Sequence, residues 1–241
     1  MIHDLEDELL RRYAVAQNPC GRFVLNCHRH LQILRSRWLI QGTELLKRGF
    51  DILVSGTLLM ILSPFLGLIA VAVWVEDGGP VFFAQIRVGK YGQQFKMYKI
   101  RSMCLDAEQR LSELFGRNQH KEGVTFKIKD DPRITRVGKW LRKYSFDELP
   151  QLYNVFRGDM SLVGPRPPVP REVAKYSLAD RRRLAAKPGV TCVWQISGRS
   201  EIDFSGQVKL DVDYIENSSF LTDLGILVRT VPAVLSGKGA C

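Results

Sequence analysis

The chain has 241 residues, enough for one large domain or a domain with appendages, and 45% of them are hydrophobic, enough for a real core. Thirty-five Lys and Arg against 25 Asp and Glu give a formal charge of +10, which suits an anionic partner: nucleic acid, an anionic membrane or a phosphorylated substrate. Zinc-finger spacing, RNP-like aromatics and a heptad-plus-basic region are all missing, which disfavours nucleic acid, and five scattered cysteines point to free thiols in a reducing compartment.

Residues 1–17 read as a helix with Leu5, Leu9, Leu10 and Tyr13 on one side, stopped by Asn18-Pro19. The opening is acidic and has no apolar h-region, so it does not read as a signal peptide. Cys20, Cys27, His28 and His30 are ligand types, but their spacing fits no common zinc pattern, and a surface helix with incidental thiols is the better reading. Residues 22–40 form a basic amphipathic segment with two readings, one on a membrane surface and one packed on the protein's own body. Residues 52–75 then carry no charge at all. As a straight helix this run would measure roughly 36 Å, long enough for the hydrocarbon core of a bilayer. Ser63-Pro64 sits at its middle, where proline removes a hydrogen bond and crowds the preceding turn, so a kinked helix could enter one leaflet and return. Gly56 and Gly67 add points of bending and close packing, but the pattern alone does not choose between re-entry and spanning.

Asp77-Gly-Gly-Pro80 reads as a turn, followed by short strands over 81–83 and 95–100 around the Gly89-Lys-Tyr-Gly92 turn. Arg87, Lys96, Lys99 and Arg101 make this region basic. Residues 106–115 look helical, 116–135 form a polar loop, and 138–144 lead into adjacent carboxylates, Asp147 and Glu148. Leu149, Leu152, Tyr153 and Phe156 follow at i, i+3, i+4 and i+7, one apolar helical face, with Asp147 as N-cap and Pro150 in the first turn. Acids at a helix N-terminus with arginines nearby suggest a site for phosphate and a divalent cation, and the dipole and those arginines should keep Asp147 ionised. Ser145-x-x-Glu148 also fits a capping box, which would make Glu148 purely structural. Arg166 lies between two prolines and would lose little entropy on binding phosphate. Residues 171–187 read as a charged helix with Arg181-Arg-Arg183 on a solvated face, and 190–196 as a strand. Leu221, Leu224, Val228, Val231 and Leu235 mark an amphipathic final helix, for core packing or for interfacial membrane contact.

The run Asp147-Glu-Leu-Pro-Gln-Leu152, followed by Gly158-Asp-Met-Ser-Leu-Val-Gly-Pro-Arg-Pro167, resembles the signature of the bacterial sugar transferases, the monotopic polyprenyl-phosphate phosphoglycosyl transferases. Phe95-x-x-Tyr98-Lys-Ile-Arg-Ser-Met103 and Trp194-Gln-Ile-Ser-Gly-Arg199 extend the resemblance, and Cys192 departs from it where the family usually has glycine. The resemblance implies an α+β, mostly helical, monotopic membrane protein with one re-entrant helix-break-helix and a small cytoplasmic catalytic domain. The corresponding divisions are an N-terminal amphipathic extension over 1–46, the re-entrant helix over 47–76 and the catalytic domain over 77–241. It places the chain on the cytoplasmic face of the bacterial inner membrane, with membrane lipid as a partner and room for a homodimer.

The same resemblance implies the chemistry. Asp147 would attack the β-phosphate of a UDP-sugar and release UMP, and polyprenyl (undecaprenyl) phosphate would then take the sugar phosphate. Glu148 would bind Mg²⁺, and Lys99, Arg142, Arg166 and Arg199 would line the substrate site. The Trp194 segment leans toward hexose donors such as UDP-glucose or UDP-galactose. Two competing readings are a basic nucleic-acid-binding protein and a non-catalytic membrane scaffold, and the Asp-Glu pair with Pro-Arg-Pro speaks against both.

Overall fold

The computed structural model describes residues 19–110, 131–198 and 202–236. It divides into two units, Met1–Lys47 and Arg48–Cys241. Helix α1 (Pro19–Asp77) opens on a proline at its first position, where the missing N–H costs nothing. Its Gly42–Asp77 stretch is long and apolar enough to cross a membrane, and the most apolar window, with mean hydropathy 2.5, is only 11% buried. Where the resemblance implied helix-break-helix, the helix runs continuously through Pro64, and the Ser63 hydroxyl donates to the Met60 carbonyl at 2.8 Å. That hydroxyl satisfies the carbonyl freed by the missing N–H of Pro64, so the helix carries on past the proline. The helix expected over 1–17, and the side chains of Cys20, His28 and His30, lie outside the described residues, while Cys27 is exposed.

In the second unit, strands β1 (Phe82–Val88) and β2 (Gln94–Ile100) form an antiparallel hairpin with Phe83 opposite Lys99 and Arg87 opposite Phe95. The expected strands are present, the first extending five residues further, to Val88. Strand alternation puts Phe83, Gln85, Arg87, Met97 and Lys99 on one face. Helix α2 (Arg136–Lys143) is capped by Thr135, whose hydroxyl accepts from the Gly138 N–H at 2.9 Å. A 3₁₀ turn, Phe146–Glu148, then leads to α3 (Gln151–Arg157), which ends at Gly158 with φ 104°.

Strand β3 (Ser161–Val163) pairs in parallel with β4 (Gly189–Thr191). The approach is close: a Cβ on Gly189 would sit 2.1 Å from the Gly164 nitrogen, so only glycine lets the Gly-Pro-Arg-Pro segment lie against β4. Between these strands the expected long charged helix is replaced by a short α4 (Pro170–Val173) and a 3₁₀ turn, Asp180–Ala185. Arg183 is therefore not on a solvated face but buried against Asp211 and Tyr176. The expected strand over 190–196 is likewise shorter, giving way to α5 (Val193–Ser197). Residues 105–110 are turn rather than helix, and 111–130 fall outside the description.

Helices α6 (Phe204–Asn217) and α7 (Phe220–Ser236) close the chain. One core cluster gathers Met97, Leu152, Val155, Met160, Leu162 and Ile226, with Phe50, Val54 and Leu62 of α1 packed on it. The other joins Ile69 and Val73 of α1 to Ile100 and Leu141. The apolar stripe of α7 does not enter the core: Leu221, Leu224, Val228, Val231 and Leu235 are all exposed, and the buried side carries Asp223 and Ile226. The core-packing reading of that stripe is therefore wrong.

Candidate active site

The expectation for the central stretch needs three corrections. Asp147 and Glu148 lie in the 3₁₀ turn before the α-helix, which begins only at Gln151. Ser145 makes no capping bond and sits in the left-handed region at φ 55°, a conformation that costs a non-glycine residue about 1–3 kcal/mol. The capping-box reading fails, because the Glu148 carboxylate instead accepts from Lys99 Nζ at 2.6 Å. The buried face of α3 is Gln151, Leu152, Asn154 and Val155, while Tyr153 and Phe156 are about half exposed. Polar Gln151 and Asn154 both go inward, and for Asn154 the hairpin supplies the partners. Asn154 Nδ2 donates to the Lys96 carbonyl at 2.7 Å, and its Oδ1 accepts from the Tyr98 N–H at 3.0 Å. That clasp sets β2 beside the acidic turn and brings Lys99 onto Glu148.

The resulting site is electrostatically lopsided. Arg166 Nη1 lies 3.9 Å from Glu148 Oε1, the same oxygen that Lys99 holds. Burial pushes the Glu148 carboxyl up, but Lys99 and Arg166 outweigh it and hold the group down at about 2. Asp147, only 7% exposed, goes the other way. Burial raises its pKa and the neighbouring Glu148 adds to the rise, against the opposing pull of Lys99 and Arg142. The expectation that Asp147 is biased toward its charged form is thus reversed. The pair holds one firmly ionised carboxylate and one more basic carboxyl.

Both acids line a cleft of about 860 Å³ together with Lys99, Arg142 and Arg166, so four of the expected site residues other than Asp147 gather around it. Arg199 lies outside the described residues. Leu58 and Leu62 of α1 and Ala233 and Val234 of α7 supply an apolar wall to the same cleft. Asp147 and Glu148 are adjacent acids that could donate to a cation; among the described residues no cluster of three or more His, Cys, Asp or Glu forms. Mg²⁺ is commonly held by one or two carboxylates with phosphate oxygens and water completing its shell, so this pair fits that mode.

Arg87 was missed as a site residue. Its Nη1 donates to the Pro167 carbonyl at 2.9 Å and its Nη2 to Gln85 Oε1 at 2.7 Å, fixing it beside the Pro-Arg-Pro segment. Burial, with adjacent Arg166 adding to it, lowers its pKa to about 10. Two like charges in one wall mark a place prepared for an anion. The signal was available in the strand alternation, which aligns Arg87 with Lys99.

Residues 42–237 match the bacterial sugar transferase family. The chain is 54% identical over 166 residues to the galactosyl transferase CpsE of Streptococcus agalactiae, covering 68% of this chain and 37% of that protein. It is 43% identical to the exopolysaccharide production protein ExoY of Sinorhizobium fredii, covering 80% of this chain and 87% of that one. Identity to the undecaprenyl-phosphate galactose phosphotransferase of Salmonella typhimurium is 42%, over 83% of this chain and 42% of that protein. The chain thus spans well under half the length of the Streptococcus and Salmonella relatives and most of the length of ExoY. With the match running over residues 42–237 and the acidic turn, Lys99 and Pro-Arg-Pro converging on one cleft, this chain belongs to the bacterial sugar transferase family.

Proposed function

We propose that the protein transfers a hexose-1-phosphate from a UDP-hexose to polyprenyl phosphate in two displacements at one phosphorus. The observation that carries this is geometric: a buried Asp147 and a Glu148 held by Lys99 line one cleft with Arg166 and Arg87. In the first displacement an Asp147 carboxylate oxygen bonds to the β-phosphorus, the bond to the bridging oxygen breaks, and UMP leaves with that electron pair. In the second, a phosphate oxygen of the acceptor bonds to the same phosphorus and the Asp147 oxygen leaves, restoring the carboxylate. Arg166, Arg87 and Lys99 neutralise phosphate oxygens in both steps. Glu148 would hold Mg²⁺, which would add charge neutralisation at the phosphates. Names of relatives support the substrates: the Salmonella protein is an undecaprenyl-phosphate galactose phosphotransferase and one from Komagataeibacter xylinus an undecaprenyl-phosphate glucose phosphotransferase.

A membrane-side acceptor fits the placement of the apolar helix. Arg48 donates to the Val155 and Phe156 carbonyls at 2.6 and 2.7 Å, and Asp51 accepts from the Leu162 N–H at 3.1 Å. At the far end Glu76 accepts from the Arg136 N–H at 2.7 Å, and Asp77 pairs with Arg101. Both ends of residues 52–75 are therefore fastened to one polar body, which supports re-entry from a single face over a crossing. UDP-sugars are cytoplasmic, so that face is the cytoplasmic one. A panel of radiolabelled UDP-sugars with detergent-solubilised protein and undecaprenyl phosphate tests the assignment. Label in the lipid phase from a UDP-hexose is expected, and none from any donor contradicts it.

A further inference from the structure

Beyond Arg166 the cleft continues along a wall of Tyr176, Arg183, Trp194 and Gln207, none of which has a part in the two displacements. All four are more than nine-tenths buried, from 8% exposed at Trp194 to 4% at Arg183. Arg166 joins this wall to the reacting pair: its guanidinium is 3.9 Å from Glu148 Oε1 on one side and 5.8 Å from the Trp194 ring centroid on the other. Two donors in the wall, Trp194 Nε1–H and Arg183 Nε–H, are buried with no acceptor among the described residues. Buried donors are almost always paired, so these two mark where a ligand oxygen belongs. Arg183 cannot swing away to find one, because its Nη1 donates to the Tyr176 hydroxyl at 3.2 Å and its Nη2 is held by Asp211.

We infer that this wall is the hexose subsite, with Trp194 Nε1–H and Arg183 Nε–H donating to hydroxyl oxygens of the transferred sugar. The inference rests on the transferase reading above. Its chemistry is that of a carbohydrate: aromatic rings for the C–H faces, an amide at Gln207, and fixed donors that need oxygens. The uracil also has carbonyl oxygens, but the sugar is the group attached directly to the reacting phosphorus, and the wall begins where Arg166 leaves that phosphorus. A site built to hydrogen-bond a hydroxyl rejects the analogue lacking it, since its buried donors are then stranded.

The test uses UDP-glucose and UDP-galactose, each with its set of monodeoxy analogues, undecaprenyl phosphate, and the full chain as wild type, Trp194→Phe and Arg183→Lys. Trp194→Phe keeps an aromatic ring near Arg166 but removes the N–H with the rest of the pyrrole ring; Arg183→Lys keeps a cation opposite Asp211 and removes Nε together with the donor to Tyr176. Wild type is expected to lose about ten-fold or more in kcat/KM when one particular hydroxyl is deleted. Each variant is expected to lose a similar factor with the intact hexose and to show no further loss with one of the deoxy donors, while inhibition by UMP is unchanged. Variants that retain the wild-type deoxy pattern, or that weaken UMP inhibition in proportion, overturn the subsite. A wild-type protein inert toward every UDP-hexose overturns the transferase reading itself, a different result from a discriminating wild type with unaltered variants.

Discussion

At the scale of single residues, the site works by separating two adjacent carboxyls. Glu148 takes the cations and stays ionised throughout the neutral range, while Asp147 is pushed upward by burial. A protonated Asp147 cannot attack phosphorus, so activity falls as pH drops through its raised pKa. The acid limb of kcat/KM should therefore lie above the ordinary aspartate value of about 4. A profile flat down to that value would assign the limb elsewhere. Arg166→Ala should lower kcat/KM by about ten-fold or more without unfolding the protein, since the side chain is partly exposed and acts on phosphate; near-normal turnover with intact melting would remove it from the site. The acidic pair, Lys99 and Arg166 were legible because they fall in contiguous motifs. Arg87 and Arg183 were not, because their burial depends on Pro167 and Asp211, remote in sequence.

At the scale of elements, the clasp between α3 and the hairpin decides whether Lys99 reaches Glu148. Asn154→Leu conserves volume but strands the Tyr98 N–H and the Lys96 carbonyl, which should cost about 2–4 kcal/mol of stability. Chemical denaturation measures it, and a loss below about 0.5 kcal/mol would show that the clasp is incidental. Activity should fall further than stability alone explains, since β2 carries Lys99. Apolar periodicity located α3 and placed Leu149 and Leu152 correctly, but it turned Tyr153 and Phe156 inward where Asn154, with its hairpin partners, takes the buried side. The same reason separates α7 from its expectation. Its spacing was right, but a repeat of leucines and valines does not say whether protein or lipid meets it.

At the scale of the whole molecule, the fastening of both ends of the 52–75 helix segment predicts that both lie on the cytoplasmic side. In a cysteine-free background, a single cysteine placed before Lys47 should resist membrane-impermeant label added to intact cells. Labelling from outside would mean a true crossing. The charge-free run was plain in the sequence, while the fastening was not, since Arg48, Asp51, Glu76 and Asp77 find partners far along the chain. The covalent step is the claim on which the account stands, and one experiment addresses it directly. Purified protein is mixed with its UDP-hexose and no polyprenyl acceptor, with released UMP counted and the intact protein weighed by mass spectrometry. The account predicts UMP in an amount close to that of enzyme and a hexose-phosphate adduct on Asp147, both lost in Asp147→Asn. Absence of both from a wild type that turns over once acceptor is added would contradict it, leaving direct attack by the acceptor phosphate.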